Sequence, residues 1–506
     1  AAQEYQIDIN ITPKAFAGLA RQGMLCHQGV CELCDDAIAA AGSEKARVCV
    51  ALAADVDKNY LQLAVADWGC GMELSALTNA LQLGSAPLTG NRLNEHGFGL
   101  NNALACLSGG SGDWCIYTRT QPGPYFKVSG PFDLRMTVKT VDAIDLPASL
   151  NLQWPDPSTV VYVRVPMVIA RSLQRQGNRK LSDLANLRMW LVEHLGVAYR
   201  GYLELDPETL EPSAKIAVTI GQNSMLVPPI PVPVMMARTE KVEVELGGQV
   251  VPVIYVHGTL DKSKQEHLVR GSKSRYYYQC NHPTQGVDIR LGKRVIATGQ
   301  LNEIWCREDG VSLMRHNSYN DFVGEVILPE LPRGVLPTLN NKTGIDRNDP
   351  DWEAVFEALA NFPPQKNATC ASEQKLQEQW MKILKAANPE DEVTKEISVW
   401  PTGTRVDVVH RDNNGRCDIY ELKAAKAEPQ HLYQLKMYWD GLVLEGVQPT
   451  RACLLASEYS DSLVQMARKM NVMPTPPFSD GGPSEPYRFV LATHAEKQLL
   501  RGGENE

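Results

Sequence analysis

The sequence predicts a multidomain α/β protein made of three successive parts. Its 506 residues are enough for about three domains, because a domain usually holds roughly 100 to 200 residues. Helical and strand patterns alternate over residues 1–180, strand patterns dominate over 181–362, and helices and strands alternate again over 371–506. We therefore expect an α/β domain, a β-rich domain and a second α/β domain with these boundaries.

In the first part, hydrophobic periodicity distinguishes helices from strands, and a loop rich in glycine, asparagine and threonine occupies residues 84–97. The predicted helices are Gly29 to Ala41, Glu73 to Leu83 and Leu100 to Leu107. The predicted strands are Arg47 to Ala53, Tyr60 to Asp67, Trp114 to Arg119 and Thr159 to Val165.

The second part begins with a helix, Leu181 to Leu195, and continues with strands. These strands are Ala214 to Ile220, Lys241 to Leu246, Val250 to His257, Gly286 to Ile296 and Phe322 to Leu328. The third part contains helices at Glu373 to Ala386, Gln430 to Leu442 and Ser460 to Met470, and strands at Glu396 to His410 and Cys417 to Leu422.

Composition and charge narrow the class of protein. Hydrophobic residues make up 43% and charged residues 22% of the chain, which is typical of a globular protein. The net charge of -9 is unlike that of a basic DNA-coating protein, so we expect nucleic acid to bind on one face only. Four prolines interrupt the most apolar stretch, 225–237, and no signal-peptide pattern is present, so we expect a cytoplasmic protein without a membrane segment.

Twelve cysteines are scattered along the chain, which fits free thiols in a reducing compartment. The densest group is Cys26, Cys31 and Cys34, with His27 as the nearby fourth ligand that a zinc site would need. Zinc is the weaker interpretation, because Cys31 and Cys34 also fall inside a motif that explains the segment better.

Three short motifs in the first part carry candidate nucleotide chemistry. Residues 32–36 read ELCDD on the predicted helix, so the carboxylates of Glu32 and Asp36, four apart, share one face and can polarise a water and hold a metal. Residues 67–71 read DWGCG after a strand, where Asp67 can accept the adenine amine while Gly69 and Gly71 let the backbone approach closely.

The third motif, residues 94–99, reads NEHGFG and leads into a helix. Backbone N–H groups beside Gly97 and Gly99 at this helix start are suited to phosphate oxygens. Each motif alone is also compatible with a solvated helix face or an ordinary turn, and the order and spacing of all three make the nucleotide interpretation specific.

Together the three motifs resemble the GHKL family of ATPases, most closely its MutL and MORC branch. The resemblance implies a Bergerat α/β sandwich that binds ATP, with Glu32 as the general base, Asp67 as the adenine contact and residues 84–97 as the ATP lid. The residue at the family's metal-binding Asn is Asp36 here. Asp can also ligate Mg²⁺, but its added charge beside a triphosphate can change affinity or turnover.

Further along, residues 337–343 read PTLNNKT and follow the β-rich part. This segment resembles the S5-like transducer domain of MutL and MORC proteins, in which a loop lysine contacts the γ-phosphate. The resemblance implies this role for Lys342, and a lysine suits it as a point-charge phosphate ligand. The alternative is an exposed turn lysine.

The third part contains a separate set of chemical residues. Residues 403–407 read GTRVD, and residues 418–423 read DIYELK on a predicted strand, where Glu421 and Lys423 share a face. Asp407 on the neighbouring strand can join them. Two carboxylates and the Leu422 carbonyl would form an oxygen-ligated Mg²⁺ site, and Lys423 would position a water or balance charge.

Residues 434–438 read QLKMY on the following helix, which adds Gln434 and Tyr438 to the pattern. The whole arrangement resembles the PD-(D/E)xK superfamily of nucleases, specifically its RecB-like type, and implies a restriction-endonuclease-like α/β domain. Glu373 or Glu378 on the preceding helix is a weaker candidate as an auxiliary ligand. Asp418 is expected to be structural, and a degenerate nuclease fold used for docking is the alternative.

These resemblances imply an ATP-regulated, Mg²⁺-dependent DNA endonuclease, in which ATP-driven homodimerisation controls cutting. Defence against foreign DNA is a natural setting, and a partner subunit is compatible with the sequence. Two other functions are also compatible with the sequence. One is an ATP-gated DNA clamp whose nuclease-like domain only binds, and the other is a chaperone-like ATPase that acts on protein.

Overall fold

The computed structural model describes residues 14–21, 23–85, 92–94, 97–174, 183–261, 276–305, 313, 315–339, 344–364, 368–398, 405–472 and 486–493. The chain divides into two compact units, Ala1–Gln365 and Lys366–Glu506. Both are mixed α/β structures, and the described residues form three sheets of eight, five and five strands.

The first sheet has the strand order β5-β4-β3-β6-β2-β1-β7-β8. All its neighbouring strands are antiparallel except β1 and β7, which are parallel. The strands are β1 (Ala46–Ala54), β2 (Tyr60–Asp67), β3 (Trp114–Thr118), β4 (Tyr125–Ser129), β5 (Val138–Val141), β6 (Thr159–Pro166), β7 (Ala214–Ile220) and β8 (Asn223–Leu226).

The two faces of this sheet are covered differently. Large residues of β1 and β2, such as Val50 and Leu63, face the helices and form the main core of the unit. Small residues, such as Ala51 and Ala64, face the other side, which the irregular segment around Leu150 covers. The helices of this region are α1 (Lys14–Leu19), α2 (Cys26–Ala40), α3 (Leu74–Leu81), α4 (Gly99–Leu107), α5 (Met167–Ala170), α6 (Leu184–Ala198) and α7 (Arg200–Leu203).

The first sheet extends past residue 180, the boundary expected from the sequence. β7 pairs in parallel with β1 from Ala46↔Ala214 to Leu52↔Ile220, and β8 then forms a hairpin with β7. β7 lies next to β1 in the sheet although the two strands are far apart along the chain. A local sequence pattern does not predict such a pairing. Residues 184–226 therefore belong structurally with the motif-bearing region.

The second sheet has the order β12-β11-β13-β10-β9, with β11 and β13 parallel. Its elements are β9 (Val234–Leu246), β10 (Gln249–Leu260), β11 (Gly286–Leu291), β12 (Arg294–Gln300), α8 (Asn302–Trp305), β13 (Phe322–Leu328) and α9 (Pro350–Ala360). The single strand expected over 286–296 is thus two strands, because the chain reverses at Gly292, which has a φ of 59°. Trp305 and Trp352 fill the core of this layer.

The third sheet lies in the C-terminal unit and has the order β14-β15-β16-β17-β18. β14, β15 and β16 are antiparallel neighbours, whereas β16, β17 and β18 run parallel. Its elements are α10 (Ala368–Ala387), β14 (Glu392–Ser398), β15 (Arg405–Arg411), β16 (Cys417–Leu422), α11 (Pro429–Leu444), β17 (Arg451–Ala456), α12 (Asp461–Asn471) and β18 (Phe489–Thr493).

Helices cover both faces of this third sheet. Trp380 and Leu384 of α10 pack on one face, and Leu435 and Trp439 of α11 pack on the other. Every residue of β16 is therefore buried, as expected for a central strand covered on both sides. The single strand expected over 396–410 corresponds to β14 and β15. None of the helices in the described ranges is long and apolar enough to cross a membrane.

A buried ion pair attaches α2 to the second sheet. The Arg294 guanidinium of β12 donates from Nε to Asp35 Oδ1 at 3.0 Å, and the Tyr199 hydroxyl donates to the same oxygen at 2.7 Å. Asp35 is fully buried, so its ionised carboxylate depends on these donors. The interaction fixes the helix that carries Glu32 and Asp36.

Replacing Arg294 by methionine should destabilise the N-terminal unit by about 3 to 5 kcal/mol, because Asp35 would be left as a buried charge without its cation. The Asp35→Asn/Arg294→Met double variant should recover much of this loss, since no charge then stays buried. Urea unfolding measures both effects. Arg238→Met, at an exposed site on β9, is the matched control, and a loss as large as that of Arg294→Met would contradict the account.

Candidate functional site

The first candidate site is the glycine-loop cluster, defined by Glu32, Asp36, Asp67, Gly69, Gly71, Gly97 and Gly99. Glu32 lies on the buried face of α2 and is only 1% exposed. A side chain at Gly99 would collide with Glu32 Oε2, so the carboxylate lies directly against the start of α4. The first and third motifs therefore meet in space.

Asp67 ends β2, and its backbone leads into the glycine turn of the second motif. The Gly69 N–H donates to Asp67 Oδ1 at 2.9 Å, and Gly69 itself packs against the end of α2 at Ala40. Gly71 adopts a φ of 65° and lies so close to the Arg119 carbonyl that a Cβ would collide with it. Both glycines are therefore required by the close backbone packing.

Burial dominates the electrostatics of Asp67. The side chain is 8% exposed, and burial raises its pKa to about 7 against the opposing hydrogen bonds from Gly69 and Thr159. A carboxylate held in this way lacks a full counter-charge. It is suited to accept a further hydrogen bond from a donor.

The ends of the 84–97 segment are joined at their base. The Gly84 N–H donates to the Gly97 carbonyl at 3.3 Å, and Gly97 has a φ of 65° with Ser85 packed against its Cα. The two ends of the segment therefore lie against each other directly before α4. Lys342, the predicted γ-phosphate contact, lies outside the described residues, between Leu339 and Gly344.

Asp36 is half-buried, whereas its neighbour Asp35 is fully buried in the ion pair with Arg294. The two adjacent carboxylates thus have different environments. Asp35 attaches α2 to Arg294, whereas Asp36 lies on the same helical face as Glu32. The sequence did not single out Asp35, because its partner lies more than 250 residues away.

The cysteines of α2 behave as core side chains. Cys26, Cys31 and Cys34 are buried, and burial raises the pKa of Cys26 to about 12 and that of Cys31 to about 11. His27 stacks against His194, with ring centroids 3.8 Å apart.

The second candidate site is the carboxylate–lysine cluster, defined by Asp407, Glu421 and Lys423. Lys423 Nζ lies 2.7 Å from Glu421 Oε1. The Leu422 N–H donates to Asp407 Oδ2 at 2.8 Å, which brings the β15 carboxylate beside β16. The structure therefore brings the three residues predicted from the sequence together.

The charges in this cluster are poorly solvated. Glu421 is 1% exposed, and burial, followed by the charge of Asp407, raises its pKa well above the usual range of a glutamate. Burial also raises the pKa of Asp407. Burial alone would lower the pKa of Lys423, but the Glu421 carboxylate raises it above its usual value, so the lysine stays charged.

Helix α10 adds two residues to this site. Glu373 Oε1 accepts from the Ala424 N–H at 3.4 Å, and its charge acts on all three members of the cluster. Gln377, one helical turn later, hydrogen-bonds Asp407. Of the two weaker candidates, Glu373 is thus near the cluster and Glu378 is exposed. Gln377 was missed, although its four-residue spacing from Glu373 puts both on one helical face.

Helix α11 presents the two auxiliary residues. Tyr438 is buried, and burial together with the Glu421 carboxylate raises the pKa of its hydroxyl. Gln434 is half-buried one turn earlier, on the same side of the helix. Asp418 is buried between Arg416 and Arg451, with Arg451 Nε at 2.8 Å, so its structural role is the one expected.

The cluster fits a hard divalent cation. Glu421 Oε2 is buried without a hydrogen-bond partner of normal geometry, and the carboxylates outnumber the single lysine. No group of three or more histidine, cysteine or acidic side chains within the described ranges is arranged around a common metal position. Mg²⁺ is commonly bound by one or two carboxylates and retains several waters, so two carboxylates are sufficient.

Comparisons with known proteins give partial structural similarities only. No protein-family model and no curated protein matches the chain. The crystal structure of the N-terminal domain of a DNA repair protein has a TM-score of 0.37 and 14% identity, covering 69% of this chain and 95% of that one.

Two further solved structures match shorter parts of the chain. An EndoMS–dsDNA complex has a TM-score of 0.19 and 22% identity, covering 26% of this chain and 47% of that one. A repair endonuclease from Pyrococcus abyssi has a TM-score of 0.16 and 27% identity, covering 18% of this chain and 42% of that one. Each match spans less than half of these two structures, and all three TM-scores are low.

The raised pKa of Asp67 predicts that this residue lowers stability. Its folded-state pKa of about 7 exceeds the unfolded value of about 4. The free energy of unfolding that Asp67 takes away therefore grows as the pH rises between these two values. Asp67→Asn should therefore raise the unfolding temperature by roughly 2 to 6 °C at pH 8. The difference from the unmodified protein should narrow as the pH falls towards 4.

Thermal unfolding at a series of pH values measures this difference. Asp142→Asn, at an exposed site, should leave the unfolding temperature nearly unchanged throughout. A constant effect of Asp67→Asn across the series would show that ionisation of Asp67 is not its cause.

Proposed function

We propose that this chain is an ATP-regulated, Mg²⁺-dependent DNA endonuclease. The observation that carries the proposal is the carboxylate–lysine cluster, in which two carboxylates and a charged lysine are held together in a poorly solvated position. Such an arrangement costs folding stability unless a cation and a substrate use it. The geometry is suited to phosphodiester hydrolysis.

In this proposal Asp407 and Glu421 would hold Mg²⁺, assisted by the Leu422 carbonyl. When bound, the cation lowers the pKa of a water and stabilises negative charge on the phosphate. Lys423 stays protonated through its contact with Glu421 and places a positive charge beside the reacting phosphate. Gln377 and the Leu422 N–H hold the Asp407 carboxylate in position, and Gln434 and Tyr438 support the site from α11.

The glycine-loop cluster supports ATP binding by the N-terminal unit. Asp67 provides a buried acceptor for the adenine amine, and the closely packed turn at Gly69 and Gly71 holds that carboxylate at the end of β2. The start of α4 at Gly97 and Gly99 offers backbone N–H groups to phosphate oxygens. Glu32, which lies against Gly99, would act as the general base. Asp36 would hold Mg²⁺, and Lys342 would contact the γ-phosphate.

We further propose that ATP binding closes two copies of the chain into a dimer, so that two nuclease units cut both strands of a DNA duplex. Restriction of foreign DNA by a cytoplasmic enzyme is a setting that fits such regulated cutting. The acidic net charge of -9 favours DNA binding confined to the nuclease face, because most of the surface then repels phosphate.

The nuclease proposal predicts that Glu421→Gln and Lys423→Met abolish Mg²⁺-dependent cutting of DNA. Loss of the lysine charge should lower the rate by on the order of 100-fold or more, because the charge that develops on the phosphate loses its partner. Supercoiled plasmid incubated with Mg²⁺, with and without ATP, provides the measurement.

Glu378→Gln and Lys382→Met are the matched controls, since both residues are exposed on α10. Their rates should equal that of the unmodified protein. Cutting that persists in Glu421→Gln would disprove the assignment of the nuclease site. ATP hydrolysis without any cutting in the unmodified protein would favour the ATP-gated clamp.

The ATPase proposal predicts that Glu32→Gln lowers the hydrolysis rate by about 100-fold or more, the usual contribution of a general base, while ATP still binds. Hydrolysis is measured by phosphate release and binding by calorimetry, with Glu44→Gln, at an exposed site after α2, as the control.

Lys342→Ala should remove the dependence of cutting on ATP. Unchanged ATP dependence in that variant would contradict the proposed role of the lysine.

A further inference from the structure

Arg92 connects two segments that are far apart along the chain. It lies within the 84–97 loop, and its guanidinium donates three hydrogen bonds to the turn at residues 331–336. Nη1 reaches the Leu331 carbonyl at 3.2 Å and the Pro332 carbonyl at 3.1 Å, and Nη2 reaches the Leu336 carbonyl at 2.5 Å. A planar guanidinium can serve three acceptors at once, whereas a lysine ammonium has no such fork.

The turn that Arg92 contacts contains a buried residue in an unfavourable backbone conformation. Leu336 is fully buried in the core of the second sheet and has a φ of 55°, a left-handed conformation that is unfavourable for a residue with a side chain. Such a conformation persists only where the surrounding contacts determine it. Arg92 supplies one of these contacts, because it binds the Leu336 carbonyl directly.

The same turn leads into the base of a hairpin. The Trp352 indole donates to the Pro337 carbonyl at 2.8 Å, Thr338 pairs with Ile345, and the Leu339 N–H donates to the Gly344 carbonyl at 3.1 Å. A displacement of the turn would therefore move both sides of the hairpin base. The residues between Leu339 and Gly344 include Lys342.

We propose that Arg92 is a positioning residue that couples nucleotide binding in the glycine-loop cluster to the turn at 331–336 and to the hairpin base that follows it. This inference rests on the proposed ATP site. Arg92 lies on the short turn Arg92–Asn94, which contacts α2, and it links this turn to the second sheet through three carbonyl groups.

Coupling of this kind is reciprocal, so a contact that links the hairpin base to the nucleotide site must also contribute to nucleotide affinity. Arg92→Met should raise the Kd for the non-hydrolysable ATP analogue adenylyl imidodiphosphate by about 5- to 150-fold, the usual range of such couplings. Arg92→Lys should give a smaller but clear increase, since one of the three hydrogen bonds can be retained.

The decisive readout is hydrogen–deuterium exchange of the full-length protein, with and without Mg²⁺ and adenylyl imidodiphosphate. In the unmodified protein and in Arg135→Met, an exposed control, the analogue should slow exchange of the amides over 333–339. In Arg92→Met this slowing should be lost, while exchange in α11 of the other unit stays unchanged.

The outcomes separate this inference from the proposed function. If the unmodified protein binds no analogue, the ATP proposal fails and the coupling fails with it. If the analogue binds and Arg92→Met shows the same slowing and the same Kd as the unmodified protein, the coupling alone is overturned. If Arg92→Met does not fold, Arg92→Lys decides, and an unchanged Kd and exchange pattern in that variant overturns the inference.

Discussion

The buried carboxylate of Asp35 is the constraint on which the N-terminal unit depends. A carboxylate without solvent needs hydrogen-bond donors and a compensating positive charge. Here the charge comes from Arg294 on the second sheet, and the Tyr199 hydroxyl at the end of α6 donates a further hydrogen bond. The helix that carries Glu32 therefore cannot shift without breaking a buried ion pair. The position of the candidate catalytic residues on α2 therefore depends on the packing of the second sheet.

A second buried arginine reinforces this junction. Arg200 on α7 contacts Asp288 and Glu325 of the second sheet, with Nη2 to Asp288 Oδ2 at 2.5 Å and Nε to Glu325 Oε1 at 2.8 Å. Buried ion pairs contribute little net stability, but they penalise every arrangement in which the partners separate. The two arginines thus favour one relative position of the two sheets. Arg92 makes its contacts with neutral carbonyls, which can be broken at lower cost than a buried ion pair.

The sequence predicted the local elements and the motif residues, and it did not predict the contacts between distant segments. The strand expected over 60–67 corresponds to β2, the proximity of Glu421 and Lys423 follows from their two-residue spacing, and Asp407 was added by the family resemblance. The partners of Asp35 and Arg92 lie hundreds of residues away, where no periodicity relates them. The turn at Gly292 was overlooked because only Gly292 and Lys293 separate the two strands, so that their patterns run together. The third sheet was incomplete because β17 and β18 join it after helices.

The two candidate sites share an electrostatic property that bears on their function. Asp67 and Glu421 are both buried carboxylates whose pKa burial raises, so each lowers the stability of the folded protein when ionised. A protein retains such groups where a ligand compensates the unfavourable charge, and binding then adds stability as well as chemistry. At Asp67 the ligand group that compensates the negative charge would be a hydrogen-bond donor, because this turn holds a single carboxylate. In Glu421 it would be a cation, because a second carboxylate lies beside it and one lysine cannot neutralise both.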